Sequence, residues 1–345
     1  MSVSRIMQQA AAGAAGGGAT YVDDVFSTYL YDGNGSTQTI TNGIDLSGEG
    51  GMVWLKGRYQ IGNTSNSVTG TIADTVRGAT KFLYDELAAA EGTNSGHITQ
   101  FNSDGFNVGS YSLANSNNMR MCAWSFRKQP GFLDIVTYTG NWTAGREISH
   151  NLGSKPGCVI IKRVDGSNDW AVNHVGIDGS TSWLSLNSNS SEMSRSDIWG
   201  QDLNNATSTT FVVGDTDYNN RTGATYVAYV FANNDQRFGE DEDEAIIKCG
   251  SYSGNGSSTG PIIDLGFEPQ WLMVKASNDT SNWTIMDTMR GISTGGNDAI
   301  LSANRSDAEN SSSYNYVKVT PTGFQPENSN TAINASGYEY IYIAI

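Results

Sequence analysis

Short apolar runs separated by small polar residues follow one another along the whole chain. The intervening segments are rich in Gly, Asn, Asp and Ser, which favour turn conformations. Runs of this length, rich in aromatic and β-branched residues and bounded by turns, are typical of strands. The pattern therefore predicts an all-β protein of antiparallel sheets, of the β-sandwich or jelly-roll kind.

The runs also recur in one order, three times. A turn signature starts at Tyr31, Tyr138 and Tyr252, and an apolar run that ends in Lys follows each of them. The later landmarks are a Leu with a Glu eight residues on, then a Phe, then a closing apolar strand: Leu83, Glu91, Phe106 and 121–126; Leu184, Glu192, Phe211 and 226–231; Leu301, Glu309, Phe324 and 339–344. Fixed order and spacing indicate internal repeats.

We therefore predict three tandem antiparallel β-sandwich repeats, jelly-roll or lectin-like, at 21–130, 131–236 and 237–345. A flexible N-terminal arm, 1–20, precedes them. Repetition also decides one local ambiguity, because 81–91 has helical propensity while its two counterparts favour a strand that runs into a polar turn. We predict a strand and then a loop in all three repeats, with a helical turn in the first as the open alternative.

The arm has few large apolar residues, and a run of glycines follows its weak apolar stretch. Gln8 and Gln9 interrupt that stretch, which argues against a secretory signal. This composition is consistent both with a disordered tail and with an arm that docks on another protein. If the arm docks, we expect it to attach to other virion proteins, with Ile6 and Met7 as apolar anchors and Arg5 as the polar contact.

Charge and cysteine content exclude several classes of function. A net charge of −15 argues against nucleic acid and anionic membranes as partners, and no apolar run is long enough for a membrane span. The three cysteines, an odd number without a CxxC motif, are best explained as reduced thiols in a chain that folds in the cytoplasm.

No metal or other cofactor is predicted. The acidic run 240–244 lacks the alternating oxygens and the Gly of a calcium loop, so a solvated linker is the better interpretation, with calcium as the alternative. The segment 215–219 has ligand-like spacing but lacks the Gly and the terminal Glu. Three scattered histidines do not suggest a zinc site.

Catalytic residues are not predicted either. An acid lies three residues before an arginine twice in the chain, as Asp74 before Arg77 and as Asp287 before Arg290. We interpret both pairs as structural ion pairs. A glutamate present in all three repeats is better explained by a shared architectural hydrogen bond than by catalysis.

Two aromatic residues in polar loops, Trp142 and Trp199, are the candidates for stacking on a glycan. Sugar CH groups pack on the face of such rings. Core packing is the alternative for each.

Over essentially the whole chain, the sequence resembles a family of repetitive bacteriophage virion proteins, especially from marine phages, described as tail-fibre or structural proteins. The segments that carry the resemblance are 1–10, 24–31, 40–50, 151–157, 265–270 and 337–342. The resemblance implies a virion appendage or surface protein, made in the host cytoplasm, and supplies no catalytic residues.

Our leading hypothesis is a non-enzymatic, tail-fibre-like virion protein that contacts host surface glycans and forms a homo-oligomer, with a trimer favoured. The alternatives are a capsid-decorating or tail-coating protein without a receptor role and a glycan depolymerase. A depolymerase would need two carboxylates about 5–10 Å apart across a cleft.

Overall fold

The computed structural model describes residues 19–62, 68–177, 181–292, 296–310 and 314–345. The predicted anchors Arg5, Ile6 and Met7 lie outside the described residues. No helix in the described part of the chain has the length and apolarity to span a membrane.

The secondary structure is almost entirely β, in antiparallel sheets, which confirms the predicted fold class. The helical segments are single turns: α1 (Val22–Val25), α2 (Ser112–Asn115) and a 3₁₀ turn (Leu203–Asn205).

The strands fall into three series along the chain. The first is β1 (Phe26–Asp32), β2 (Gln38–Thr41), β3 (Gly51–Gln60), β4 (Thr71–Asp74), β5 (Lys81–Tyr84), β6 (Gly92–Thr93), β7 (Ile98–Asn102), β8 (Gly105–Val108) and β9 (Met119–Arg127). The second is β10 (Leu133–Thr139), β11 (Arg146–Ser149), β12 (Pro156–Arg163), β13 (Ala171–His174), β14 (Ser182–Ser185), β15 (Met193–Ser194), β16 (Thr210–Val213) and β17 (Thr225–Ala232). The third is β18 (Lys248–Ser253), β19 (Ile263–Asp264), β20 (Trp271–Ala276), β21 (Thr284–Asp287), β22 (Leu301–Ser302), β23 (Val317–Thr320), β24 (Gly323–Pro326) and β25 (Glu339–Ala344).

Each series forms one large and one small sheet. The large sheets have the strand orders β1-β9-β3-β4-β5-β6, β10-β17-β12-β13-β14-β15 and β18-β25-β20-β21-β22. We call them the first, second and third large sheets. The small sheets are β2-β8-β7, β11-β16 and β19-β24-β23. The region 81–91 is a strand followed by irregular backbone, as are its counterparts, so the strand-then-loop prediction is confirmed.

The landmark tyrosines occupy matching positions in the three large sheets. Tyr31 pairs with Met121, Tyr138 with Tyr226 and Tyr252 with Tyr340. Each tyrosine hydroxyl donates to a backbone carbonyl at 2.5–2.7 Å, the acceptors being Ala114, Asn219 and Ile333. The division into three domains with the stated boundaries stays a prediction.

Both faces of each large sheet are buried. In β9, Met121 and Ala123 pack toward the small sheet, whereas Cys122, Trp124 and Phe126 pack on the opposite side. Residues of all three large sheets meet on that opposite side in one core, which we call the central core. A strand with two buried faces has no polar alternation, which explains the continuous apolar runs.

Hydrogen bonds link the large sheets in a closed ring around this core. The backbone N–H of Glu91 donates to Val164 O at 2.9 Å, that of Glu192 to Ser277 O at 2.6 Å, and that of Glu309 to Arg58 O at 2.7 Å. The first large sheet thus binds the second, the second binds the third, and the third binds the first. The shared architectural hydrogen bond predicted for the three glutamates is made by their backbone.

Candidate functional site

Trp142 lies in a turn whose backbone is the same in all three series. The N–H groups of Asn34, Asn141 and Asn255 each donate to the side-chain oxygen of a distant asparagine at 2.9–3.0 Å, the acceptors being Asn115, Asn220 and Asn334. The residue that follows has a positive φ in each turn: 68° at Gly35, 59° at Trp142 and 68° at Gly256.

This left-handed conformation is natural for glycine and costs an L-residue about 1–2 kcal/mol. Trp142 adopts it nonetheless, while its N–H donates to Asn220 O at 2.7 Å and 47% of its surface stays exposed. The ring therefore gains little from burial. An unfavourable backbone that presents an exposed aromatic ring is a feature of functional sites.

A groove of about 600 Å³ lies at the open edge of the first series, between β1 and β2. Its aromatic lining consists of the half-buried rings of Tyr29 and Tyr59 and the buried Tyr31. The polar lining includes Gln38, whose amide donates to Asp32 O at 3.2 Å, and Arg120, which pairs with the Asp32 carboxylate. Paired charges and aromatic faces suit a neutral, hydroxyl-rich ligand.

Sequence reasoning missed this groove. It exists because β3 runs further than its counterparts, with an irregularity between Gly57 and Tyr59 that lets Tyr59 and Gln60 extend the pairing with β9. The signal was the aromatic and polar extension after the Lys-ending run, which the other two series lack.

Trp199 is not available to a ligand. Its side chain is only 2% exposed and packs in the central core, so the prediction that it stacks on a glycan is wrong. The loop that carries it is polar in sequence, but the nearby Ile198 and Leu203 turn inward with it and close the core.

The two predicted Asp–Arg pairs are formed, and both lie between sheets. Arg77 Nε lies 2.6 Å from Asp74 Oδ2, which also accepts from the Tyr229 hydroxyl of the second large sheet at 2.8 Å. The pair of Asp287 and Arg290 has the same arrangement, and it is hydrogen-bonded to the first large sheet.

In that pair, Arg290 Nε lies 2.6 Å from Asp287 Oδ2, and Trp124 Nε1 donates to the same oxygen at 3.0 Å. Arg290 also lies over the Trp124 ring, 5.3 Å from its centroid. With their charges satisfied inside the protein, these groups hold sheets together rather than face a substrate.

The cysteines are internal as well, whereas the acidic run is not. The three cysteines are free and buried, and burial raises the pKa of each thiol. Among the described residues, no group of three or more His, Cys, Asp or Glu side chains is arranged to hold a metal ion. The acidic run 240–244 lies in an exposed turn.

Comparison with models of protein families identifies the family of this chain. No curated protein and no solved structure matches the chain. One family model, described as Domain of unknown function (DUF7483), matches residues 22–345, which include all three large sheets in a single match. The chain therefore belongs to the DUF7483 family.

Proposed function

We propose that the protein is a non-enzymatic virion structural protein, a tail-fibre-like appendage that contacts host surface glycans through Trp142. The observation that carries the glycan contact is the exposed Trp142 ring, held in a left-handed backbone conformation where the two related turns have glycine. The virion assignment rests on the sequence resemblance. Attachment through the arm and assembly with further copies, three being favoured, belong to the same proposal.

Stacking is the interaction that this ring offers. An aromatic face contributes about 0.5–1.5 kcal/mol beyond the area that it buries, and a saccharide presents the CH groups to use it. The groove beside Tyr29 and Tyr59 offers a second aromatic and polar surface of the same chemical kind.

The non-enzymatic assignment is supported by the positions of the acids. The repeated glutamates bind neighbouring sheets through their backbone, and the carboxylates of Glu91 and Glu309 pair with arginines at 2.7–3.0 Å. Asp74 and Asp287 are fully buried in ion pairs. These carboxylates therefore form structural ion pairs within the fold.

Trp142→Gly is expected to weaken glycan binding about tenfold, because the stacking surface is lost. The same change should leave the stability unchanged or raise it by up to about 1 kcal/mol, since glycine adopts this φ without strain. A glycan array, followed by titration of the best ligand, measures the first effect, and urea unfolding measures the second.

Tyr314→Ala is the matched control, because Tyr314 is another half-exposed aromatic residue, 48% exposed, in a different region. It should leave glycan binding intact. Equal binding by wild type and Trp142→Gly would refute the contact.

Deletion of residues 2–15 is expected to leave the sheets folded and to abolish incorporation into virus particles. The deleted segment precedes every described residue, so none of the contacts reported above is removed. Particle incorporation is measured by blotting purified virions, with circular dichroism and urea unfolding as the folding control. Normal incorporation of the truncated chain would show that the arm is not the anchor.

A further inference from the structure

A buried amine lies against two carboxyl groups in the first large sheet. Lys56 Nζ, on β3, is 2.9 Å from Asp85 Oδ2 and 3.8 Å from Glu86 Oε2, both of which follow β5. The side chains of Lys56 and Asp85 are completely buried, and that of Glu86 is 8% exposed. The arrangement brings a nucleophile, an electrophilic carbon and a second carboxyl group together out of contact with water.

The other two large sheets keep the lysine but lack the acids. Tyr84, Ser185 and Ser302 pair with equivalent residues of the neighbouring strand in the three large sheets. The residue that follows each of them is therefore also equivalent, and it is Asp85 in the first sheet, Leu186 in the second and Ala303 in the third. The matching lysines instead donate to backbone carbonyls, Lys162 to Ala88 O at 3.1 Å and Lys275 to Ala276 O at 2.5 Å. An apolar residue therefore suffices at this position for the fold, and the acid calls for a separate explanation.

Stability is a poor explanation for the acid. Moving two charges into the interior costs about as much as their attraction returns, and an apolar pair of similar volume is often as stable or more stable. A covalent amide would remove both charges from the interior.

The protonation states suit condensation. Burial raises the pKa of Asp85 well above its usual range, which favours the neutral acid. Burial acts in the same direction on Glu86, but the hydrogen bond from Asp85 and the charge of Lys56 outweigh it and lower the pKa of Glu86. The two carboxyl groups can share that hydrogen bond only if one is protonated, and Asp85 Oδ1 has no other partner.

Gly70 makes the close approach possible. A Cβ at this position would lie 2.0 Å from Asp85 Oδ2, so no other residue fits over the carboxyl group. The N–H of Gly70 donates to Glu86 Oε2 at 3.0 Å, and Trp54 Nε1 donates to Asp85 Oδ2 at 2.8 Å. The equivalent positions in the other two sheets carry Trp170 and Trp283, where no acid has to be accommodated.

We propose that Lys56 and Asp85 condense into an intramolecular isopeptide bond, with Glu86 as the proton carrier. Asp85 is the neutral acid, so transfer of a proton from the Lys56 ammonium to the Glu86 carboxylate, 3.8 Å away, gives the neutral amine. The amine then attacks Cγ of Asp85, so that the Nζ–Cγ bond forms and a tetrahedral intermediate results. Trp54 Nε1–H is placed to stabilise the oxygen on which negative charge develops.

Glu86 delivers that proton to the departing hydroxyl group, and it then takes and keeps one proton from the attacking nitrogen. The Cγ–O bond breaks, and one water leaves with the carboxyl oxygen, one proton from the acid and one from the amine. Nothing is oxidised or reduced, and no co-reactant is needed. The product ties β3 to the segment after β5 across 29 residues.

Intact mass spectrometry of the purified, denatured chain tests the bond directly. The expected mass is lower than the sequence mass by one water. Trypsin should then release a branched peptide that joins the segment ending at Arg58 to 82–120, with no cleavage after Lys56. The peptides that contain Lys162 and Lys275 should be linear and serve as controls within the same chain.

Two variants test the roles of Asp85 and Glu86. Both are measured by intact mass spectrometry, a measurement that does not require a folded sample. Asp85→Ala should keep the full sequence mass, because it lacks the carboxyl carbon that the amine attacks. Glu86→Gln should also keep the full sequence mass, because it lacks the proton carrier. A wild-type chain that keeps its full mass after prolonged incubation at neutral pH overturns the proposal. Loss of water in Glu86→Gln would remove Glu86 from the mechanism.

Discussion

Arg290→Met is expected to lower the free energy of unfolding by about 3–5 kcal/mol, because it leaves the buried Asp287 carboxylate without a cation, while Glu309 keeps Arg58. The Arg290 side chain is fully buried and pairs with Asp287 at 2.6 Å and with Glu309 at 3.4 Å. Those charges outweigh the effect of burial and raise the pKa of the guanidinium, so Arg290 stays charged. Its removal also takes the cation from the Trp124 ring.

Urea unfolding at neutral pH measures the change, and Arg305→Met is the matched control. Arg305 pairs with Asp307 at an exposed position of the same series, where an ion pair contributes about 0–1 kcal/mol. If the two variants unfold at the same urea concentration, the Arg290 network does not stabilise the sheets.

Acidification from pH 6.5 to pH 4 is expected to destabilise the protein through its buried histidines. Burial lowers the pKa of His174 to about 4 and, with the nearby Arg77 charge, that of His97 to about 3. The neutral His174 ring binds Tyr342 O through Nε2 at 3.0 Å, and its Nδ1 accepts the N–H of Gly176 at 2.9 Å. A protonated ring could not accept that second bond.

Stability falls with falling pH because the pKa values of His174 and His97 are lower in the folded protein than in the unfolded chain. Below about pH 6.5 the unfolded chain takes up protons that the folded histidines do not, so stability falls as the pH falls. The contribution of His174 is complete above about pH 6.5 and is lost by about pH 4. Between pH 6.5 and pH 4 the loss is about 3 kcal/mol for each histidine, from 1.36 kcal/mol per pH unit, and the contribution of His97 continues to fall until about pH 3.

His174→Gln isolates the effect, because glutamine can donate to Tyr342 and accept from Gly176 without titrating. The difference in unfolding free energy between wild type and variant, measured by urea unfolding at several pH values, removes the contribution of the carboxylates. That difference should shift in favour of the variant by about 3 kcal/mol between pH 7 and pH 4. A difference that does not change with pH would contradict the prediction.

The sequence predicted the strands and the Asp–Arg pairs because these depend on local information. Gly, Asn and Ser mark the turns, and an acid three residues before an arginine lies within reach of it, as Asp74 and Arg77 show. Repetition corrected the misleading helical propensity of 81–91, since two related segments lacked it.

Long-range contacts were beyond such reasoning. Continuous apolar runs indicate strands buried on both faces, but they do not identify what covers the second face, so the ring of three sheets was not foreseen. Trp142 and Trp199 have similar polar neighbours in sequence, yet only packing distinguishes the exposed ring from the buried one. Lys56 looked like the polar end of an apolar run, and its burial against Asp85 depends on pairing through β4 to β5.

The ring also has a consequence for folding kinetics. Contacts between the first and second large sheets join residues 74 positions apart for Lys162 and Ala88 and 155 for Asp74 and Tyr229. Contacts between the first and third join residues 163 positions apart for Trp124 and Asp287 and 251 for Arg58 and Glu309. Loop-closure entropy grows only logarithmically, by about 0.6 kcal/mol for each doubling of loop length, so closing the ring costs little additional free energy. Folding rates fall steeply as contact order rises. The contacts between the first and third large sheets should therefore be the last to form, and the part of the central core between these two sheets stays exposed until they do.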